Sequence, residues 1–147
     1  MLRPVVESDL EAFYEQQADP ESVVMAAVPA RERESHLEHW RKVLADETTL
    51  VRTIDAGGAV AGHVVSFVRD GNREVGYWVG REYWGRGVAS AALAAFLAQE
   101  RRRPLLARVA AHNPASRRVL EKCGFTAVAE LKDPEGDGVD EVHLRLE

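Results

Sequence analysis

Two glycine turns between runs of period two constrain this chain more than any other feature. Residues 49–54 and 59–68 carry strand-like alternation, and Asp55-Ala56-Gly57-Gly58 between them has hairpin-turn composition. Asp70-Gly71-Asn72 is a second turn, and residues 74–79 continue as a third strand. Three strands joined by short turns predict an antiparallel meander.

Helical signals flank it. Ser8-Asp9-Leu10-Glu11 reads as a capping box, with Ser8 at the N-cap and Leu10, Phe13 and Tyr14 on one side of the helix that follows. Asp19-Pro20-Glu21-Ser22 breaks that helix, and a second pattern runs over residues 29–45 through Leu37, Trp40, Val43 and Leu44. After the meander, the glycine-bearing loop 80–87 runs straight into a helix predicted over residues 88–102. Val88, Ala92 and Phe96 repeat at i+4, as do Ala89, Leu93 and Leu97, giving a broad apolar face. Arg101-Arg102-Arg103 falls at that helix's C-terminal end, where cations suit the macrodipole, and Pro104 stops it. Residues 105–111 read as a strand. Asn113 caps a further helix with Pro114 at N1, and Gly124 closes it at C′. Residues 125–131 and 141–146 make a last hairpin across the acidic loop 133–140. Strands and helices intermingle without a linker. The expected architecture is therefore one α+β (mixed α/β) domain over residues 1–147, with a mixed, mostly antiparallel sheet.

Composition narrows the function classes. With 147 residues, 46% hydrophobic and 29% charged, the chain has enough material for one core and none of the bias of disordered or collagenous sequences. Its single cysteine, Cys123, forms no internal disulfide and anchors no zinc site. A net charge of −5 argues against nucleic acid as a partner. No apolar run approaches the ~18 residues of a membrane span, and the N-terminus has no signal-like apolar segment. The expectation is a cytoplasmic protein, monomer or homodimer, with no membrane or nucleic-acid partner and no metal.

The strongest local chemical signal is strand, glycine loop, helix: Val75-Gly76-Tyr77-Trp78-Val79, then Trp84-Gly85-Arg86-Gly87-Val88-Ala89. Glycines let backbone approach an anion, and a helix N-terminus offers unpaired N–H groups at the positive end of a dipole. Together they suggest a phosphate cradle, with Arg86 adding charge. The loop lacks the Gly-Lys-Ser/Thr end of a P-loop and the third glycine of a dinucleotide fingerprint. The same residues also suit an ordinary strand-to-helix turn, and the loop alone does not separate the two.

Three elements in order resemble the GNAT superfamily of N-acetyltransferases. Trp84 to Ala89 looks like its acetyl-CoA pyrophosphate loop, Q/R-x-x-G-x-G/A. Asn113-Pro114-Ala115-Ser116 through Lys122-Cys123-Gly124-Phe125 resembles its N-x-x-S/A … K-x-G-F segment. Glu74 to Val79 resembles its fourth strand. The wording is most similar to the branch of ribosomal-protein N-terminal (alanine/serine) acetyltransferases. The resemblance implies acetyl-CoA as co-substrate and, as acceptor, a primary amine on a protein N-terminus or a small molecule. It implies direct attack in a ternary complex; the alternative is a non-catalytic acyl-CoA-binding sensor or regulatory domain. The cofactor surface it implies comprises Tyr77, Trp78 and Val79 on the strand, Trp84, Gly85, Arg86, Gly87, Val88, Ala89 and Ser90 on the loop and helix start, and Asn113 and Ser116.

The resemblance aligns Glu74 with the family's strand glutamate, the expected base, with His112 in reserve. Ser116 is the expected acid for the leaving thiolate, and a backbone N–H near Val79 the oxyanion donor. Two positions depart from the family pattern. Trp84 stands where Gln or Arg is usual and cannot bind phosphate through its side chain. Leu120 stands where many relatives carry the tyrosine acid. His36 and His39, i and i+3 on one helix, read as solvated. Trp40, Tyr14 and Met25 suit either the core or an acceptor cleft, and the carboxylates of residues 133–141 suit a solvated tip or a lure for a cationic acceptor.

Overall fold

The meander forms where the period-two runs place it. In the computed structural model, which describes residues 1–147, β1 (Leu2–Arg3), β2 (Leu50–Ala56), β3 (Ala59–Arg69) and β4 (Asn72–Val79) pair in sequence order, all antiparallel. The β3–β4 turn is only Asp70-Gly71, at φ 52° and 79°. This left-handed pair matches the twist of the strands, so both run further into the turn than composition suggested. β5 (Leu105–Ala110) lies parallel to β4. β7 (Glu141–Leu146) pairs antiparallel with β5, and β6 (Thr126–Leu131) forms the far edge. The seven strands are ordered β1-β2-β3-β4-β5-β7-β6. No helix is long and apolar enough to cross a membrane.

Five helices cover the two faces. α4 (Val88–Gln99) and α5 (Pro114–Lys122) pack on the face carrying Val64, Val75 and Val79, burying Leu93, Phe96 and Leu120 in the main core. α1 (Asp9–Ala18), α2 (Pro20–Ala26) and α3 (Arg33–Ala45) lie over the opposite side, where Leu10, Phe13 and Trp40 close on Val51. The α5 caps are as expected. Asn113 Oδ1 accepts from the Ser116 N–H, and Gly124 at φ 98° ends the helix, with the Phe125 N–H bonded to the Leu120 carbonyl.

Other local expectations change. Ser8 is helical and makes no capping bond. Asp9 takes over, accepting from the Val6 N–H, the Thr53 hydroxyl and both Arg3 terminal nitrogens. Burial pushes the Asp9 carboxyl up, but these donors outweigh it and hold it below its ordinary range. The Asp19-Pro20 break is the start of α2, because Asp19 accepts from the Ser22 N–H and Pro20 fits the first helical turn. α4 stops at Gln99, so the three arginines lie beyond it. Arg102 instead makes a two-point ion pair with buried Glu100.

The seam between β4 and β5 positions the site. The two strands pair at one register position, Glu74 with Leu106. The Gly80 N–H bonds to the Ala61 carbonyl, which fixes the phase of the β3–β4 ladder. By alternation Trp78 and Gly76 also bond toward β3, so the backbone groups of Tyr77 and Val79 face the opening seam. Gly62 on β3 allows this close approach. A Cβ there would sit 1.9 Å from the Trp78 carbonyl oxygen.

Candidate functional site

Where the seam opens, a groove of about 490 Å³ runs between β4, β5, the loop before α4 and the start of α5. All residues expected at the cofactor surface line it except Arg86. The Arg86 side chain turns outward, its guanidinium 6.0 Å from the Tyr83 ring centroid. Gly85 and Gly87 have φ of 74° and 73°, and a Cβ built on either meets nothing within 4 Å. Glycine is therefore required there by backbone conformation, not by crowding. Gly87 is the N-cap of α4, and the first intrahelical bond runs from Ala91 N–H to its carbonyl. The N–H groups of Val88, Ala89 and Ser90 are left without helical partners and point from the positive end of the dipole. Backbone N–H groups in this arrangement are able to hold an anion of the size of a pyrophosphate. Trp84 supports the loop from the side: its indole N–H donates to the Val79 carbonyl at 2.9 Å, tying the loop to the end of β4.

At the middle of the groove two hydroxyls meet. Tyr77 Oη lies 2.6 Å from Ser116 Oγ and donates to the Ser116 carbonyl at 3.1 Å. Burial pushes the Tyr77 phenol up to about 12, against the pull of the Ser116 hydrogen bond, so it stays protonated at any working pH. Sequence reasoning placed Tyr77 at the cofactor surface and missed that its hydroxyl joins Ser116. The signal was present in the alternation of β4, which puts Tyr77 on the same face as Val75 and Val79, toward α5.

Glu74 is elsewhere. It sits at the one paired position of the seam, is 2% exposed and does not line the groove. Arg69 Nε and Nη2 donate to its two oxygens at 2.8 and 2.7 Å, and Arg108 Nη2 lies 3.1 Å from Oε2. The expected base is thus ion-paired to two guanidinium groups and lies outside the groove. The reserve base fares no better. His112 is exposed, outside the groove, with Nε2 2.9 Å from the Val24 carbonyl. None of the groove's lining residues is Asp, Glu or His. In the acidic loop, Glu135 reaches Arg108 at 3.5 Å and Asp133 and Asp140 bond backbone N–H groups of the loop itself.

The helix histidines also depart from expectation. His36 is 1% exposed, with Nε2 3.0 Å from the Leu10 carbonyl, and His39 is half-buried. With His63 and Trp40 they line a second cavity of about 160 Å³ under α3. The His63 ring stands 4.9 Å from that of Phe13 and 4.8 Å from that of Trp40. Burial lowers all three imidazoles, His63 to about 3, so they are neutral at pH 7. Met25 lines the first groove and Trp40 the second, whereas Tyr14 packs edge-on against His36.

Comparison with known proteins agrees with this geometry. The family model described as Acetyltransferase (GNAT) domain matches residues 1–126. No curated protein matches the sequence significantly. Among solved structures, spermidine N-acetyltransferase from Vibrio cholerae, in complex with CoA and spermine, superposes with a TM-score of 0.85 at 19% identity, covering 99% of this chain and 94% of that one. Ribosomal-protein-alanine N-acetyltransferase from Brucella melitensis gives 0.84 at 22%, covering 99% and 98%. A GNAT-family acetyltransferase from Bacillus anthracis gives 0.82 at 21%, covering 99% and 92%.

Proposed function

Given that the chain belongs to the GNAT acetyltransferase family and transfers acetyl from acetyl-CoA to an amine, we propose direct attack by an acceptor that arrives already neutral. The observation that carries this reading is the content of the groove: a paired phenol and alcohol, and no carboxylate or imidazole. The thioester supplies the activated acetyl group. The protein's part is to orient it, hold charge and return a proton. The N-terminus of α4 holds the pyrophosphate. The Tyr77 and Val79 backbone N–H groups, freed by the opening of the seam, face the developing negative charge on the acetyl oxygen. As the C–N bond forms and the C–S bond breaks, Ser116 Oγ–H gives its proton to the leaving sulfur, and the Tyr77 O–H turns from the Ser116 carbonyl to donate to the Oγ that is left. The acceptor nitrogen releases its proton to water at the groove mouth, and solvent restores the hydroxyl pair. Leu120 makes the family's usual tyrosine acid impossible here, and the Tyr77–Ser116 pair takes that place.

A groove without a base favours the less basic amines. A peptide α-amine, with a pKa of about 7.7–8.0, is substantially neutral near pH 8, whereas alkylammonium groups near ~10 are not. The acceptor we infer is therefore an N-terminal α-amine, in line with the branch the sequence resembles. The test is kcat/KM against pH with a peptide acceptor, following CoA release. The expected profile rises with pH and levels off above the α-amine pKa. It does not fall on the alkaline side below pH 10, because the buried phenol remains protonated. A rising limb in the carboxylate range that Glu74→Gln removes would return the base to Glu74 and overturn this reading.

A further inference from the structure

The cavity under α3 is not used by the mechanism above, yet it abuts the groove: Val28 and Trp78 line both. Three properties define what it accepts. Its size, about 160 Å³, is near that of an engineered cavity of ~150 Å³ that binds benzene. Its walls are rings, with Phe13, Trp40 and Trp78 among the lining residues and the imidazoles of His36, His39 and His63 between them. Its charge is one-sided: Arg31 is the single formally charged lining residue, with no carboxylate to receive an ammonium.

Polar atoms remain to be satisfied. His36 Nδ1 and His63 Nδ1 are buried and have no hydrogen-bond partner. His36 Nε2 faces the Leu10 carbonyl and so carries the ring hydrogen, which leaves Nδ1 as a lone pair. A buried acceptor atom left unpaired is costly, and a ligand that brings an N–H or O–H removes that cost. The histidines are not a metal centre, since no three His, Cys, Asp or Glu side chains are grouped to hold an ion.

We propose that this cavity receives the first side chain of a peptide acceptor, and that the side chain it selects is an uncharged ring of about benzene size carrying a hydrogen-bond donor, as in an N-terminal tyrosine. The proposal rests on the reading of the groove as the acetyl-transfer site. The α-amine lies in the seam, the chain passes Val28 and Trp78, and the ring enters the cavity against the packed cluster of Phe13, Trp40 and His63 that lines it. A lysine side chain or a polyamine meets Arg31 and neutral imidazoles instead of a counter-charge.

The experiment uses the full chain and four acceptors: short amidated peptides beginning with Tyr, Phe or Lys, and spermidine. Expected kcat/KM is highest for the Tyr peptide, about tenfold above the Lys peptide and spermidine. His63→Phe, which keeps a ring and removes both nitrogens, erases the Tyr-over-Phe preference, so that the two peptides react at equal kcat/KM; a Tyr-over-Phe ratio as large as in the wild type overturns the assignment of His63 as the partner of the ring's donor. Should that variant not fold, Val28→Trp, made at an exposed rim position, narrows the passage and lowers Tyr- and Phe-peptide turnover together. Equal rates for the Tyr and Lys peptides, or faster turnover of spermidine, overturn the proposal.

A readout independent of turnover separates this inference from its premise. With CoA present and no acetyl group to transfer, the Tyr peptide shifts the ring ¹⁵N resonances of His36 and His63. Unmoved resonances at saturating peptide overturn the subsite even where turnover is seen. Shifted resonances with no acetylation of any amine uphold the subsite and overturn the reading of the groove.

Discussion

The two ends of the β4–β5 seam use charge in opposite ways. At the closed end, Glu74 is buried and held by Arg69 and Arg108 across β3, β4 and β5. At the open end the groove presents hydroxyls, backbone N–H groups and no acid. A buried ion pair that is fully engaged staples strands together and is unavailable for proton transfer. On the reading proposed above, neutral groups left reachable at the splayed end carry the proton transfer. A glutamate on the right strand thus becomes part of the scaffold because of which end of the seam it occupies.

The hardest test of this contrast is to remove the staple. Glu74→Leu leaves two guanidinium groups facing each other without a carboxylate, and the expected loss of stability is about 3–5 kcal/mol. Chemical denaturation measures it. In the fraction that remains folded, kcat/KM at pH 8 should stay within about threefold. An unchanged midpoint together with a lost rate would move Glu74 from scaffold to chemistry.

At the open end the expected losses are in rate. Tyr77→Phe and Ser116→Ala should each lower kcat by about 10²-fold, the lower part of the range for a proton donor, with little change in acetyl-CoA affinity. The double variant should lose scarcely more than either single one, because the two hydroxyls act as a unit. Simple multiplication of the two losses would show that they act separately. A smaller effect is expected at the cradle. Gly87→Val forces a β-branched residue to φ near 73°, a strain of ~1–2 kcal/mol or more. This should weaken acetyl-CoA binding roughly ten- to thirtyfold by calorimetry while the fold survives, since no atom crowds the position. Unaltered affinity would leave the loop without a role in binding.

The effect that vanishes at neutral pH belongs to the cavity under α3. His63 is lowered by burial to about 3 in the folded chain, against about 6.5 when unfolded. Between those values the unfolded state binds the extra proton. The stabilising contribution is therefore complete above pH 6.5 and is lost as pH falls toward 3. His63→Phe should flatten the acid side of a stability–pH curve and leave pH 8 nearly unchanged. A variant curve as steep as the wild type would place the acid sensitivity elsewhere, in His36 or His39 or in carboxylates held low by their partners, such as Asp9 and Glu100.

The sequence made some of this legible and hid the rest for physical reasons. The meander, the glycine loop and the α5 caps could be read because local geometry decides them: turn residues at fixed offsets, Asn before Pro, Gly after the last turn. Ser8 failed as a cap because the Asp9 carboxylate takes the Val6 N–H and is itself held in place by Arg3 and by Thr53, 44 residues away, a partner that no local pattern shows. The ion pairs of Glu74 were hidden because they depend on which strands lie beside β4: Arg69 reaches it across the turn from β3 and Arg108 from β5. His63 was missed for a simpler reason. Within a strand an alternating histidine looks like any half-exposed polar residue, and only the packing of α1 and α3 shows that it joins Phe13 and Trp40 in one cluster of rings.

Gly62 carries a consequence for how such a chain can change over generations. A Cβ there would sit 1.9 Å from the Trp78 carbonyl, so any replacement must push the end of β4 aside. That movement shifts three things at once: the backbone donors at Tyr77 and Val79, the wall shared by the two cavities, and the partner of the Trp84 indole. In a saturation library scored for acetyl transfer, position 62 should tolerate nothing but glycine. At Gly57 and Gly58, which face open space but have φ of 65° and 94°, the limit is backbone conformation alone, so residues that tolerate a left-handed turn, such as Asn, should be accepted. Selection would preserve an empty position in the chain, because the spacing it leaves keeps the acetyl donor and the acceptor in register.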